Sequence, residues 1–135
     1  MRTIMRTIEQ KRALFAYQKV NKINSNPAND DKKKKEFRSK ILKYPAMVQA
    51  CGLLQSVAFY SSKKDVEKEV NRILLDWLRS SQQDLAFPNI GEINEEGFTS
   101  YLANLELELY RNITREALAF LTWLKRAAEA ILPEE

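Results

Sequence analysis

Apolar residues recur every three to four positions along most of the chain, and Val, Ile and Thr do not cluster into alternating runs. That period is helical. A first helix is predicted over Thr7 to Ile23, with Thr7 and Gln10 at the spacing of a capping box. Ala13, Ala16, Tyr17, Val20 and Ile23 share one face, and Lys11, Arg12, Lys19 and Lys22 share the other. Ile8 and Phe15 fall among those cations. Two readings of Phe15 follow: a ring that stacks on a base or docks on a protein neighbour, or a helix buried on two sides.

"NSNPANDD" marks a loop, predicted over residues 24–32. In "KKKKEFRSKILKY" the apolar positions Phe37, Ile41 and Tyr44 keep helical spacing, and Lys32 to Lys35, Arg38, Lys40 and Lys43 clothe the rest. Asp30 and Asp31 precede the run, where the positive end of a helix favours acids. Pro45 is expected to open a new helix at its first position. That helix, residues 45–61, is apolar nearly all round and is predicted to be central and buried. Gly52 within it points to close approach of a neighbour, and Cys51 reads as a small core residue. Ser62 and Asp65 are expected to start a fourth helix with the stripe Val66, Val70, Ile73, Leu74, Trp77 and Leu78. Pro88 and Gly91 place a loop over residues 82–96. A short helix over 97–103 and a long one over 106–131 complete an all-α, single-domain bundle of five to seven helices.

The long helix carries Tyr110, Ile113, Ala117, Phe120, Leu121, Leu124, Ala127, Ala128 and Ile131 on its core stripe. Arg111, Arg115, Thr122, Lys125 and Arg126 lie opposite, with Leu118 among them and Trp123 at their edge. A Leu and a Trp beside an arginine row suit a protein contact. The alternative is a surface row paired with Glu116 and Glu129.

The charge is unevenly spread. Residues 1–44 hold 13 Lys and Arg against 4 Asp and Glu, and the remainder holds 9 against 14. A basic lobe on an acidic domain is a frequent footprint of a polyanion partner, although lysine-rich helices are also simply well solvated. The chain has no histidine, which removes the usual general base and the commonest transition-metal ligand. No Gly-rich phosphate loop is present, and Glu106 and Glu108 lie on different helical faces. An enzyme, a bound metal and a cofactor are therefore not expected. One cysteine cannot form an intrachain disulfide, which fits a reducing, cytoplasmic setting. No apolar run is long enough for a membrane span. "MRTI" occurs twice at the N-terminus, so Met5 is read as an alternative start, with residues 1–5 expected to be poorly ordered.

Three blocks together resemble a known family: "RTIEQKRALFAYQKV" (Arg6 to Val20), "YPAMVQACGLLQSVAFY" (Tyr44 to Tyr60) and "YRNITREALAFLTWLKRAAEA" (Tyr110 to Ala130). The combination is similar to the small helical subunit of the type III-B CRISPR effector, the Cmr complex. That resemblance implies a non-catalytic bundle, stacked in several copies beside the backbone subunits and touching the large subunit at one end. It also implies a basic surface lining the channel where guide and target RNA pair. Self-stacking is expected only within the complex, with no membrane and no small-molecule substrate. The expected RNA contacts are Lys11, Arg12, Lys19, Lys22, Lys40, Lys43, Arg111, Arg115 and Arg126. Phe15, Leu118 and Trp123 are the expected protein contacts. A free-standing nucleic-acid binder and a purely structural adaptor without RNA contact remain the competing readings.

Overall fold

Thr7 starts the first helix as its side chain predicts. Its hydroxyl accepts from Gln10 N, and the Gln10 side chain accepts from Thr7 N, closing the capping box. The computed structural model describes residues 5–81 and 87–134. The predicted start at Met5 and the order of residues 1–4 therefore fall partly outside the described residues, as does the beginning of the predicted 82–96 loop.

Six helices follow in order: α1 (Ile8–Ser25), α2 (Asp31–Cys51), α3 (Leu53–Ser61), α4 (Val66–Ser80), α5 (Phe98–Ala103) and α6 (Leu107–Ile131). No strand occurs among the described residues. The first loop is shorter than predicted, because α1 continues through Ser25 and Asp30 caps α2 by accepting from Lys33 N at 2.8 Å. Two 3-10 turns, Ile90–Glu92 and Glu95–Gly97, replace part of the loop expected over 82–96.

The predicted helix over 45–61 does not exist as one element. α2 runs through Pro45 and ends at Cys51, and the chain bends at Gly52. Proline removes one backbone bond but does not have to stop a helix whose side chains are held by tertiary packing. Here the Tyr60 hydroxyl donates to the Lys40 carbonyl at 2.8 Å, tying α3 to α2 in the turn before the proline. Gly52 has φ 87° and ψ 159°, a region that side chains with a Cβ rarely enter. A Cβ there would meet the Tyr110 hydroxyl at an ordinary 3.7 Å, so conformation, and not a close approach, requires glycine. Gly52 N donates to Val48 O, and Gly52 O accepts from Ser56 N. One residue thus closes α2 and opens α3. The bend also turns Cys51, expected in the core, out to an exposed position. The Tyr110 hydroxyl accepts from Leu54 N at 2.9 Å, satisfying a donor that the helix start would leave orphaned.

α4 also starts differently. Ser62 caps the end of α3 instead, and Asp65 at φ 63° leads into Val66 without a side-chain cap. The predicted stripe is nevertheless right: Val66, Val70, Ile73, Leu74, Trp77 and Leu78 are all buried.

The helix around which α1, α2 and α4 pack is α6, not the 45–61 segment. It packs most extensively against α1 and α2, and α4 joins it from the remaining side. Arg12 meets Glu116 and Phe15 meets Phe120, so α1 runs parallel to α6. Arg38 meets Glu134 while Leu54 meets Tyr110, so the α2–α3 arm runs antiparallel to it. Phe120 is fully buried at this centre, and truncating such a ring costs about 3–5 kcal/mol. A buried polar junction joins α2, α3 and α4. The Tyr44 hydroxyl donates to Asn71 Oδ1, and Asn71 Nδ2 donates to the Val57 carbonyl at 2.9 Å and to Ser61 Oγ at 3.0 Å.

Candidate nucleic-acid interface

Cations can hold a polyanion only if they face outward and are not already neutralised. On that criterion the structure divides the expected residues. Arg12 is engaged inside the protein. Its Nε and one terminal nitrogen donate to the two Glu116 oxygens at 2.7 and 2.6 Å, and Trp77 Nε1 donates to the same carboxylate at 2.9 Å. Side-chain exposures of 18% for Arg12 and 4% for Glu116 show a largely desolvated pair. The hydrogen bond from Arg12 to Glu116 is the main cause of an Arg12 pKa raised above its usual value. Glu116, read from the sequence as a partner for the outer arginines of α6, turns inward instead.

Phe15 belongs to the same junction. Its ring sits edge-on to Trp77 and Phe120 at centroid distances of 5.5 and 5.8 Å, and Trp77 stacks on Phe120 at 5.3 Å. Of the two readings of Phe15, burial on two sides of α1 is the one observed. Lys19 pairs with Asp76 at 3.0 Å and lies over the Phe15 ring. Burial raises the Asp76 pKa, but donors from Lys19 and Arg79 outweigh it and hold the carboxyl below its ordinary value. Lys40 reaches Glu67 at 3.6 Å, and Lys11 is half-buried on α1.

The remaining expected cations point outward. Lys22, Lys43 and Arg115 are exposed and make no ion pair among the described residues. Arg111 pairs with Glu108, an exposed partner one turn away, and such pairs are weak. Arg126 is exposed and lies 5.9 Å from the centroid of the half-buried Trp123 ring. Leu118 is half-buried on the same outer side of α6.

Lys43 does not stand alone. It lines a groove of about 480 Å³ with Lys35, Arg38, Ser39 and Leu42 on α2. Lys35 and Arg38 meet only exposed carboxylates among the described residues, Asp31 at 3.2 Å and Glu134 at 3.7 Å. Lys35, Arg38 and Ser39 were not singled out from the sequence. Their spacing of three and four, continuing to Lys43, carried the signal, because it lays them along one helical face. A four-lysine run viewed as a block conceals that face. No cluster of three or more His, Cys, Asp or Glu among the described residues is arranged to hold a metal, and no described helix is long and apolar enough to cross a membrane.

Fold and surface together define a small all-α protein with weakly paired or unpaired cations along the outer sides of two antiparallel helices. Residues 8–131 match the family described as CRISPR-associated protein (Cas_Cmr5), and the chain belongs to that family. The CRISPR system Cmr subunit Cmr5 of Thermus thermophilus is 34% identical over 130 residues, covering 96% of this chain and all of that protein. The crystal structure of a CRISPR-associated Cmr5 family protein from the same organism superposes with a TM-score of 0.72 at 30% identity, over 95% of this chain and all of that one.

Proposed function

We propose that the chain is a non-catalytic small subunit of a type III-B CRISPR ribonucleoprotein. It stacks along the backbone subunits and steadies guide and target RNA through phosphates, with sequence supplied by base pairing. The family assignment supports a place in a Cmr complex. The observation that carries the RNA role is the outward cation set: Lys22, Lys35, Lys43, Arg111, Arg115 and Arg126. Those with carboxylate partners, Lys35 and Arg111, meet exposed ones, whereas Arg38 is as desolvated as Arg12 and is not counted among them. Arg12 is held by Glu116, and Lys19 is shared with Asp76. Cations spread over α1, α2 and α6, and not gathered into the α2 groove alone, suit a repeating backbone charge better than a single small anion.

The test is charge reversal at Lys35 and Arg115 together in the assembled complex. Both are outside the core, so the fold should be unaffected. Target-RNA affinity should fall, and the salt dependence should flatten by about 0.7 in slope for each single-strand phosphate no longer neutralised. Unchanged affinity and slope would leave the cations merely solvated and favour the purely structural adaptor.

A further inference from the structure

The element predicted to be the buried centre instead leaves an apolar side open. Met47 and Cys51 at the end of α2, and Gln55, Ala58 and Phe59 on α3, line a groove of about 530 Å³ over Ser56. Phe59 is 47% exposed and Cys51 is exposed. The opposite side of α3 is already satisfied, because Leu53, Val57 and Tyr60 are buried in the core. Met47 is half-buried against the core, but Cys51 and Phe59 are exposed and absent from it, and together the three form a continuous patch. The bend at Gly52 makes that patch concave, since two helical segments meet there at an angle.

We propose that this groove seats an amphipathic helix of a neighbouring protein subunit, one with acidic residues at both ends of its apolar stripe. The lining contains no charged residue, and Ser56 Oγ is occupied by the Gly52 carbonyl. The flanks are cationic. Lys43 lies one turn before Met47 on α2, and Lys63 Nζ sits 4.6 Å from the centroid of the Phe59 ring beyond the other end. An apolar floor between two cations fits a helix that lays an i, i+3, i+4 row into it and presents carboxylates at its ends. Among the described residues, a second copy of this chain offers no such helix. Leu107 is 60% exposed between Glu106 and Glu108, but Tyr110, the next residue on its stripe, is held by Leu54 N. Leu14 is exposed on a helix whose neighbouring charges include Lys11 and Arg12. A nucleic-acid base stacked on Phe59 would find only Gln55 as a polar partner for its edge, since Met47, Cys51 and Ala58 are apolar and Ser56 Oγ is occupied. The proposal rests on the chain's membership of a multi-subunit complex, and of the cations assigned to RNA above it draws only on Lys43.

Cys51 supplies the test, because it is the only thiol in this chain. Maleimide labelling of Cys51, read by mass spectrometry of this chain, is compared between the free protein and the assembled complex. Labelling in the complex should slow at least tenfold, and it should stay slow after ribonuclease treatment while the subunits still co-sediment. In parallel, Phe59→Glu should fold with an unchanged thermal melt but enter the complex about tenfold less well, as expected when an aromatic anchor is removed. Phe59→Leu should enter normally. Equal labelling in both states, protection that ribonuclease removes, or concentration-dependent protection in the free chain would each overturn the proposal, the last two in favour of RNA or a second copy. Charge reversal at Lys35 and Arg115 leaves this readout untouched, so failure of the RNA reading is seen separately.

Discussion

The α1–α4–α6 junction and the outer side of the α2–α3 arm use similar residue types in opposite ways. At the junction a cation and an anion are taken out of water. Arg12, Glu116 and Trp77 complete one another's hydrogen bonds, and Phe15 and Phe120 seal them. On the α2–α3 arm apolar side chains face solvent, and Lys35 and Lys43 beside them have an exposed carboxylate partner or none among the described residues. A desolvated charge is tolerated only where its partner is fixed with good geometry, and an exposed apolar patch costs little in folding if the other side of its helix is buried. The first region therefore holds the bundle together, whereas the second is left for something else to cover.

The largest effect should come from breaking the junction. Glu116→Ala leaves Arg12 largely desolvated with only the more distant Glu9 as counter-charge, and Trp77 Nε1 without an acceptor. A loss of about 3–5 kcal/mol is expected, read by urea denaturation. Glu116→Gln should recover part of it by keeping an acceptor for Trp77. If Glu116→Ala melts like the parent chain, the junction is not what locks α1 onto α6.

Gly52→Ala should come next. Forcing a Cβ into φ 87° costs about 1–3 kcal/mol, with no clash to relieve. The same substitution should also change the angle of the groove, so incorporation into the complex should fall together with stability. Normal incorporation at reduced stability would separate the groove's shape from the bend.

A pH-dependent effect sharpens the contrast. Burial raises the Tyr44 pKa well above 10.0, with the nearby Tyr60 adding to it. Burial, with Glu67 adding to it, pushes Tyr60 up to about 12. Both phenols stay neutral in the fold at a pH where an unfolded tyrosine ionises, near 10. Their contribution is complete below that pH and is lost as pH rises through the folded values. Denaturant midpoints should therefore fall above about pH 10, and Tyr44→Phe should flatten that fall. A flat profile in the parent chain would contradict the buried placement.

The smallest stability effect is expected on the outer surfaces. Phe59→Ser, Lys35→Glu and Arg115→Glu should each move stability by no more than about 0.5 kcal/mol. Their consequences should appear only in assembly or RNA affinity. A large stability loss from any of them would erase the distinction between the two regions.

The helical period fixed the all-α class, the ends of α1 and α6 to within two residues, and the buried stripes of α4 and α6, because these depend on local spacing and on capping within one turn. The Thr7 cap and the row Ile113, Ala117, Phe120, Leu121, Leu124 needed no knowledge of neighbours. The outward cations Lys22, Lys43 and Arg115 were legible for the same reason. What tertiary structure alone decided was which face met which. A helix apolar on all sides looks buried from its sequence, but only packing determines that Leu53, Val57 and Tyr60 turn inward while Cys51 and Phe59 do not. Arg12 looked free because its partner, Glu116, lies 104 residues away. Local periodicity reports the chemistry of each face, and only the arrangement of helices in space assigns that face to core, solvent or partner.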